Sequence, residues 1–288
     1  MKKYIIPGLC IFNILTGMEP DSVKIYHKHD TLLAPVFMRL LEKNTINIDG
    51  IAILHAECAT GVLAAKLAEK ADRVHGFDQE KEIINFACTQ YDRKNLSFEH
   101  CHPGQLRTNR LFNLAVIDSY IDFIPDKEAL FQCINDCLPH TCFPTKSGEL
   151  FMTITTSNNK EHPRITTAKE MAPDIQKIIE YFSEEEIIDL ATPTYPSLYV
   201  IQTILETTGF EIIKSEEQSD YFVTTQQELE DIYRSIIPNM LIFEYIPTDS
   251  QDYFITQYLK KYIAVLEKTN DQKLIEPIIT TIIHARKK

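Results

Sequence analysis

Between Ile51 and Thr155 the chain alternates short apolar runs with stretches of helical spacing, and this alternation restricts its fold more than any other feature of its 288 residues. Ile51–Leu54, Arg73–Phe77, Leu96–Glu99, Leu114–Ile117 and Glu149–Thr155 read as strands. Val62–Lys70, Lys81–Tyr91 and Lys127–Leu138 read as the helices between them. Repeated strand–helix–strand units close through right-handed crossovers, so the expected architecture is α/β, a mostly parallel sheet with helices on both faces. Upstream, Leu32, Leu33, Val36, Phe37, Leu40 and Leu41 place a helix over Thr31–Lys43, with Asp30 as its N-cap and Tyr26, His27 and His29 before it. Downstream, Leu198–Thr208 is a helix stopped by Gly209. Phe210–Lys214 is then a strand, Gln226–Ser235 and Asp252–Lys268 are helices, and Ile278–Ala285 is a last strand.

Residues 157–196 break the alternation. They are polar and punctuated by Pro163, Pro173, Pro193 and Pro196, while Met171, Ile175, Ile178, Ile179 and Phe182 recur at near-helical spacing. Such a stripe packs on a core as an amphipathic helix or closes over a site as a lid. The expected organisation is therefore 1–156 as an N-terminal helical segment and the first half of the domain, 157–196 as a helical lid or insertion, and 197–288 as the half that completes the same sheet.

Charge and cysteines narrow the partners. A formal net charge of −12 repels phosphate backbones, so nucleic acid is not an expected partner. The densest basic stretch, Arg286-Lys287-Lys288, reads as a solvated terminus. Seven cysteines without a CxxC pair point to reduced thiols in a cytoplasmic protein. Cys133 and Cys137 fall four apart on a helix, and with His140 and Cys142 they match no zinc spacing. His100 and His102 flank Cys101 without a further ligand, so no metal is expected. Lys2-Lys3 and the run Tyr4–Leu15 are similar to a short signal peptide, but Pro7, Gly8 and Asn13 interrupt the run. A buried N-terminal segment is expected instead, and no membrane span.

The chemistry concentrates where the first strand meets the first crossover helix, at His55-Ala56-Glu57-Cys58-Ala59-Thr60-Gly61. Ligands of open α/β sheets sit beyond the carboxyl ends of the strands, next to this turn. Asp78 ends the next strand, where a carboxylate can accept both hydroxyl hydrogens of a ribose. The turn resembles motif I of the class I S-adenosylmethionine (SAM) methyltransferases, with His55 at the acidic position and Glu57, Ala59 and Gly61 at the three glycine positions. By the same resemblance Asp78, followed by Gln79, matches the ribose-binding acid of motif II, and His102 stands where many members place an acid near the adenine. Asp118-Ser119 resembles motif IV. Leu205–Ile212 is similar to the entry into strand six, and Ile282–Lys287 to the terminal antiparallel strand.

The resemblance implies a Rossmann-like, seven-stranded sheet with an antiparallel last strand. It implies SAM as cofactor, S-adenosylhomocysteine (SAH) as product, and a small-molecule methyl acceptor such as a carboxylic acid. The similarity is greatest to the trans-aconitate, juvenile-hormone-acid and malonyl-carrier-protein types. The residues it assigns to the cofactor are Tyr26, His55, Glu57, Cys58, Ala59, Gly61, Asp78, Gln79, His102, Asp118 and Ser119. No catalytic residue is nominated; Tyr120 and His102 are candidates for orienting the acceptor. A homodimer and a catalytically inactive binding protein are the alternatives carried alongside.

The departures from motif I have physical consequences. Ala59 is mild if its φ is negative and costs about 1–2 kcal/mol if it is positive. Glu57 is the larger change, since two charges ~4 Å apart interact by roughly 4 kcal/mol at an effective dielectric of ~20. Against the methionyl carboxylate of SAM that interaction repels; against the ammonium it attracts. His55 is either a pH-sensitive ligand contact or a neutral histidine bonded under the turn.

Overall fold

A computed structural model describes residues 20–106, 108, 110–118, 124, 126–140, 148–155, 163–177, 183, 197–236 and 245–288. Ser119, Tyr120, Cys10, Cys142, Ile178, Ile179, Phe182 and the N-terminal run Tyr4–Leu15 lie outside these. The described elements are helices α1 (Pro20–Lys43), α2 (Val62–Leu67), α3 (Lys81–Gln90), α4 (Lys127–Cys137), α5 (Pro163–Gln176), α6 (Leu198–Thr207), α7 (Gln226–Ile236) and α8 (Thr248–Val265). The strands are β1 (Ala52–Ala56), β2 (Arg73–Asp78), β3 (Leu96–His100), β4 (Leu114–Asp118), β5 (Glu149–Thr155), β6 (Phe210–Thr224), β7 (Glu267–Lys268) and β8 (Leu274–Lys287).

The strands form one mixed sheet in the order β3-β2-β1-β4-β5-β8-β6, with the two-residue β7 added to β8. Strands β1 to β5 pair in parallel, and β8 runs antiparallel to β5, Met152 facing Ile283. The expected seven strands are thus present, with β7 as an eighth. The order reverses between β1 and β4, so the carboxyl ends of β1, β2 and β4 meet at one crevice.

The chain divides into two compact units. Among the described residues, the first comprises 20–106, 108, 110–118, 124, 126–140, 148–155, 197–219 and 280–288, and the second 163–177, 183, 220–236 and 245–279. In the first, β1 and β4 carry the buried runs Ile53-Leu54 and Leu114–Ile117, as central parallel strands covered on both faces require. One face packs Leu54, Phe77, Ile117 and Met152 with Phe131 and Ile134 of α4 and Ile201 and Leu205 of α6. On α1 the buried stripe Asp30, Ala34, Phe37, Leu41 recurs every third or fourth residue, with Val23 buried two turns before it, and α1 packs on α2 and α3. In the second unit, buried Glu276 accepts hydrogen bonds from the hydroxyls of Tyr233, at 2.8 Å, and Tyr262.

Two expectations are corrected. The first helix begins at Pro20, so Tyr26, His27 and His29 lie within it, and Asp30 is no N-cap: it is a buried residue of the helix interior. Lys287 is not a solvated terminal residue. It is 4% exposed, and its Nζ donates to Asn135 O at 2.6 Å and Leu138 O at 2.8 Å. A cation on the last carbonyls of α4 suits both their lone pairs and the negative end of the helix.

Candidate functional site

The turn after β1 takes an alternating left-handed path. Glu57 has φ 53°, Ala59 φ 48° and Gly61 φ 81°, while Cys58 and Thr60 between them do not. Only glycine adopts this region freely; an L-residue there costs about 1–2 kcal/mol. The chain therefore holds strain at two of the three positions where glycine is expected. At Gly61 the freedom is indispensable, because a Cβ would stand 2.7 Å from Cζ of Phe98 on β3. At Gly76 a Cβ would stand 2.9 Å from Sγ of buried Cys58, so the β2 glycine makes room for the turn.

The amides of residues 58–61 are all engaged within the protein. Cys58 N–H donates to Phe77 O at 2.9 Å and Gly61 N–H to Cys58 O at 3.0 Å. Ala59 N–H donates to Asp78 Oδ2 at 2.9 Å, and Glu80 N–H donates to Asp78 Oδ1 at 2.9 Å. Thr60 N–H donates to Asp30 Oδ2 at 3.1 Å, and the Thr60 hydroxyl donates to the same oxygen. The Thr60 hydroxyl also lies 3.2 Å from Nδ1 of His27, whose ring sits against Phe86. Residues 58–61 thus form no phosphate-cradling nest of the kind nucleotide-phosphate sites use.

Around the turn the polar side chains are acids and one histidine. His55 is fully buried, and its Nε2–H donates to Asp118 Oδ1 at 2.9 Å. Its Nδ1 is buried without a hydrogen-bond partner. Glu57 is 5% exposed, and its Oε1 is likewise buried without a partner. Burial, and then the negative charges of Asp78 and Glu80, hold the Glu57 carboxyl well above the usual carboxylate range. The negative charges acting on it are thus those at the end of β2. Burial lifts Asp78 to about 6, although two amide donors and His55 favour its charged form. Glu80 is raised too, by burial and by Asp78. Among the described residues no lysine or arginine pairs with Glu57, Asp78, Glu80 or Asp118.

The remaining assigned residues divide. Gln79 follows Asp78, and its carbonyl accepts a hydrogen bond from His100 Nε2–H at 3.0 Å. His102 is exposed, its ring 6.3 Å from that of His100. Tyr26 is partly buried on α1, one residue from His27, and Ser119 lies outside the described residues. Sequence reasoning missed Asp30, Thr60 and Glu80. The legible signal for Asp30 was an acid inside the apolar stripe of α1.

Two consequences are measurable. Ala59→Gly is expected to stabilise the protein by about 0.5–1 kcal/mol, the relief of left-handed strain exceeding the added freedom of the unfolded chain; urea denaturation reads this directly. The second concerns pH. An acid whose folded-state pKa is raised contributes stability that is complete below its unfolded pKa and lost as pH rises through the folded value. For Asp78 the window runs from 3.8 to about 6. Wild type is expected to gain stability relative to Asp78→Asn as pH falls from 7 to 5, measured as the difference in Tm. A difference that does not change with pH contradicts this.

No family model matches the chain, and no curated protein does. Solved structures do, at low identity. Phosphoethanolamine N-methyltransferase 2 of Haemonchus contortus superposes with TM-score 0.53 and 14% identity, over 100% of this chain and 61% of that one. The Bacillus subtilis protein YcgJ gives 0.52 and 12%, over 90% and 99%. The cyclase SpnF gives 0.50 and 14%, over 88% and 81%. The sheet order, the antiparallel β8 and these superpositions agree: the chain has the fold of the class I SAM-dependent methyltransferases.

Proposed function

We propose that the protein binds SAM at the β1–β2–β4 crevice and transfers its methyl group to a small molecule, a carboxylic acid being the class that asks least of the enzyme. One observation carries the reading. The turn's amides at 58–61 are already bonded, and the Glu57 carboxyl is buried with its Oε1 unpartnered, its charged form disfavoured by Asp78 and Glu80. Such a site disfavours phosphates and complements a ligand that brings donors and positive charge. SAM, of net charge +1, brings an ammonium, a sulfonium and two ribose hydroxyls beside its one carboxylate, and it is these cationic and hydroxyl groups that the residues present fit. Anionic dinucleotides do not match this donor and charge pattern.

Asp78 and Glu57 would hold the hydroxyl and amine donors, since each carboxylate oxygen has lone pairs to spare. When bound, SAM supplies a methyl group made electrophilic by the sulfonium. The chain's own part is positioning and exclusion of water. Thr60, tied to Asp30, fixes the turn, and His55, tied to Asp118, fixes the floor beneath it. A carboxylate acceptor is ionised at neutral pH and needs no base to remove a proton.

A second reading, a methyltransferase-like protein that binds without transferring methyl, draws on Asp78. Both of its oxygens already accept backbone amides. The fold does not choose between the two, because it is shared by a protein named as a cyclase. Incubation with methyl-labelled SAM and fractionated small-molecule extract chooses. Protein-dependent label in an extract component is expected; SAM binding without any label transfer favours the second reading.

A further inference from the structure

The carboxyl of Glu57 combines features that a merely structural residue does not need. It stands on a left-handed backbone position that favours glycine, it is 5% exposed, and its Oε1 has no partner. The charges that act on it are those of Asp78, which ends β2, and Glu80 just after it. Glu57 in turn acts on the thiols of Cys58 in the same turn and Cys101 after β3, while His55 and Asp118 act on Asp78. On α1, Asp30 and His27 are engaged with Thr60. His55 is bonded to Asp118, and no lysine or arginine among the described residues pairs with the cluster.

We propose that Glu57 makes this site select for positive charge, so that a sulfonium nucleoside binds in preference to its neutral-sulfur product and displaces a proton from the carboxyl cluster as it enters. This rests on the SAM reading above. The physical basis is that three crowded carboxyls cannot all ionise without a cation among them. In the empty site, burial and mutual repulsion keep protons on the cluster. A ligand of net charge +1 replaces one of those protons, whereas SAH, a neutral zwitterion, has less power to do so. Product therefore competes weakly with fresh cofactor. A buried charge acting across about 10 Å at an effective dielectric of ~20 gives a preference on the order of tenfold.

Calorimetric titration of the full chain with SAM, SAH and sinefungin, in two buffers of different ionisation enthalpy, tests this. Sinefungin carries an amine in place of the sulfonium and has no methyl to give, so it separates charge from methyl. The expected results are about tenfold tighter binding of SAM and sinefungin than of SAH, and proton release with the two cations that exceeds that with SAH. SAM affinity is expected to fall as pH is lowered through the titration of Asp78, near 6. Glu57→Gln, which keeps the shape, is expected to bring the SAM-to-SAH ratio close to one. Equal or tighter SAH binding by wild type overturns the inference while leaving the SAM reading standing. So does a ratio that Glu57→Gln does not move. Failure of all three ligands to bind overturns the SAM reading itself, and the inference with it.

Discussion

Gly61→Val is expected to destabilise the protein by about 2–5 kcal/mol, the sum of a left-handed backbone penalty and overpacking. At φ 81° a β-branched residue is strained before it meets any neighbour. Its Cβ would then stand 2.7 Å from Phe98 Cζ, 2.9 Å from Phe98 Cε1 and 3.2 Å from Ala87 Cβ. Two elements, β3 and α3, would have to shift for one side chain. Urea denaturation measures the loss, and Gly61→Ala should fall between the variant and wild type. The contrast with Glu57 and Ala59 is instructive. Those positions share the left-handed backbone but tolerate a Cβ, so strain there is a backbone cost only. An unchanged urea midpoint in Gly61→Val contradicts the geometry given for the turn.

Asp30→Ala is expected to have the second largest effect, through ligand binding as well as stability. One carboxylate oxygen accepts both the Thr60 N–H and the Thr60 hydroxyl. Removing it leaves a buried amide and a buried hydroxyl without their acceptor, a loss of about 2–4 kcal/mol. Because Thr60 joins Ala59 to Gly61, the variant also loosens the turn that faces the crevice. SAM affinity is expected to drop by an order of magnitude or more, about 1.4 kcal/mol for each tenfold. Thr60→Val removes the hydroxyl and keeps the amide bond, so it should give a smaller loss on both measures. If Asp30→Ala and Thr60→Val are equivalent, the amide–carboxylate bond is not what holds the turn.

Much of the fold was legible in the sequence because it rests on burial. Central strands covered on both faces must be continuously apolar, and Ile53-Leu54 and Leu114–Ile117 declare themselves. Helix boundaries were less legible. The first helix was placed at Thr31 because Asp30 is a good capping residue and His27 and His29 are polar. Their burial depends on the turn of β1 lying against that helix, a long-range contact that local pattern does not encode. Lys287 was misjudged for the same reason, since its partners lie some 150 residues away on α4. At the site, the positions of Glu57, Ala59, Gly61 and Asp78 followed from their place after β1 and β2. What remained hidden was orientation. Periodicity cannot tell whether a glutamate at a strand end faces an amine or other acids. The acids that raise the Glu57 carboxyl, Asp78 and Glu80, come beside it only through the fold.

The central proposal, that the carboxyl-lined ends of β1, β2 and β4 bind SAM, is tested most directly by calorimetric titration of SAM into the wild-type protein at pH 7. Saturable one-to-one binding in the micromolar range is expected, lost or strongly weakened in Asp78→Ala. No heat of binding at millimolar SAM, or binding that Asp78→Ala leaves untouched, contradicts it.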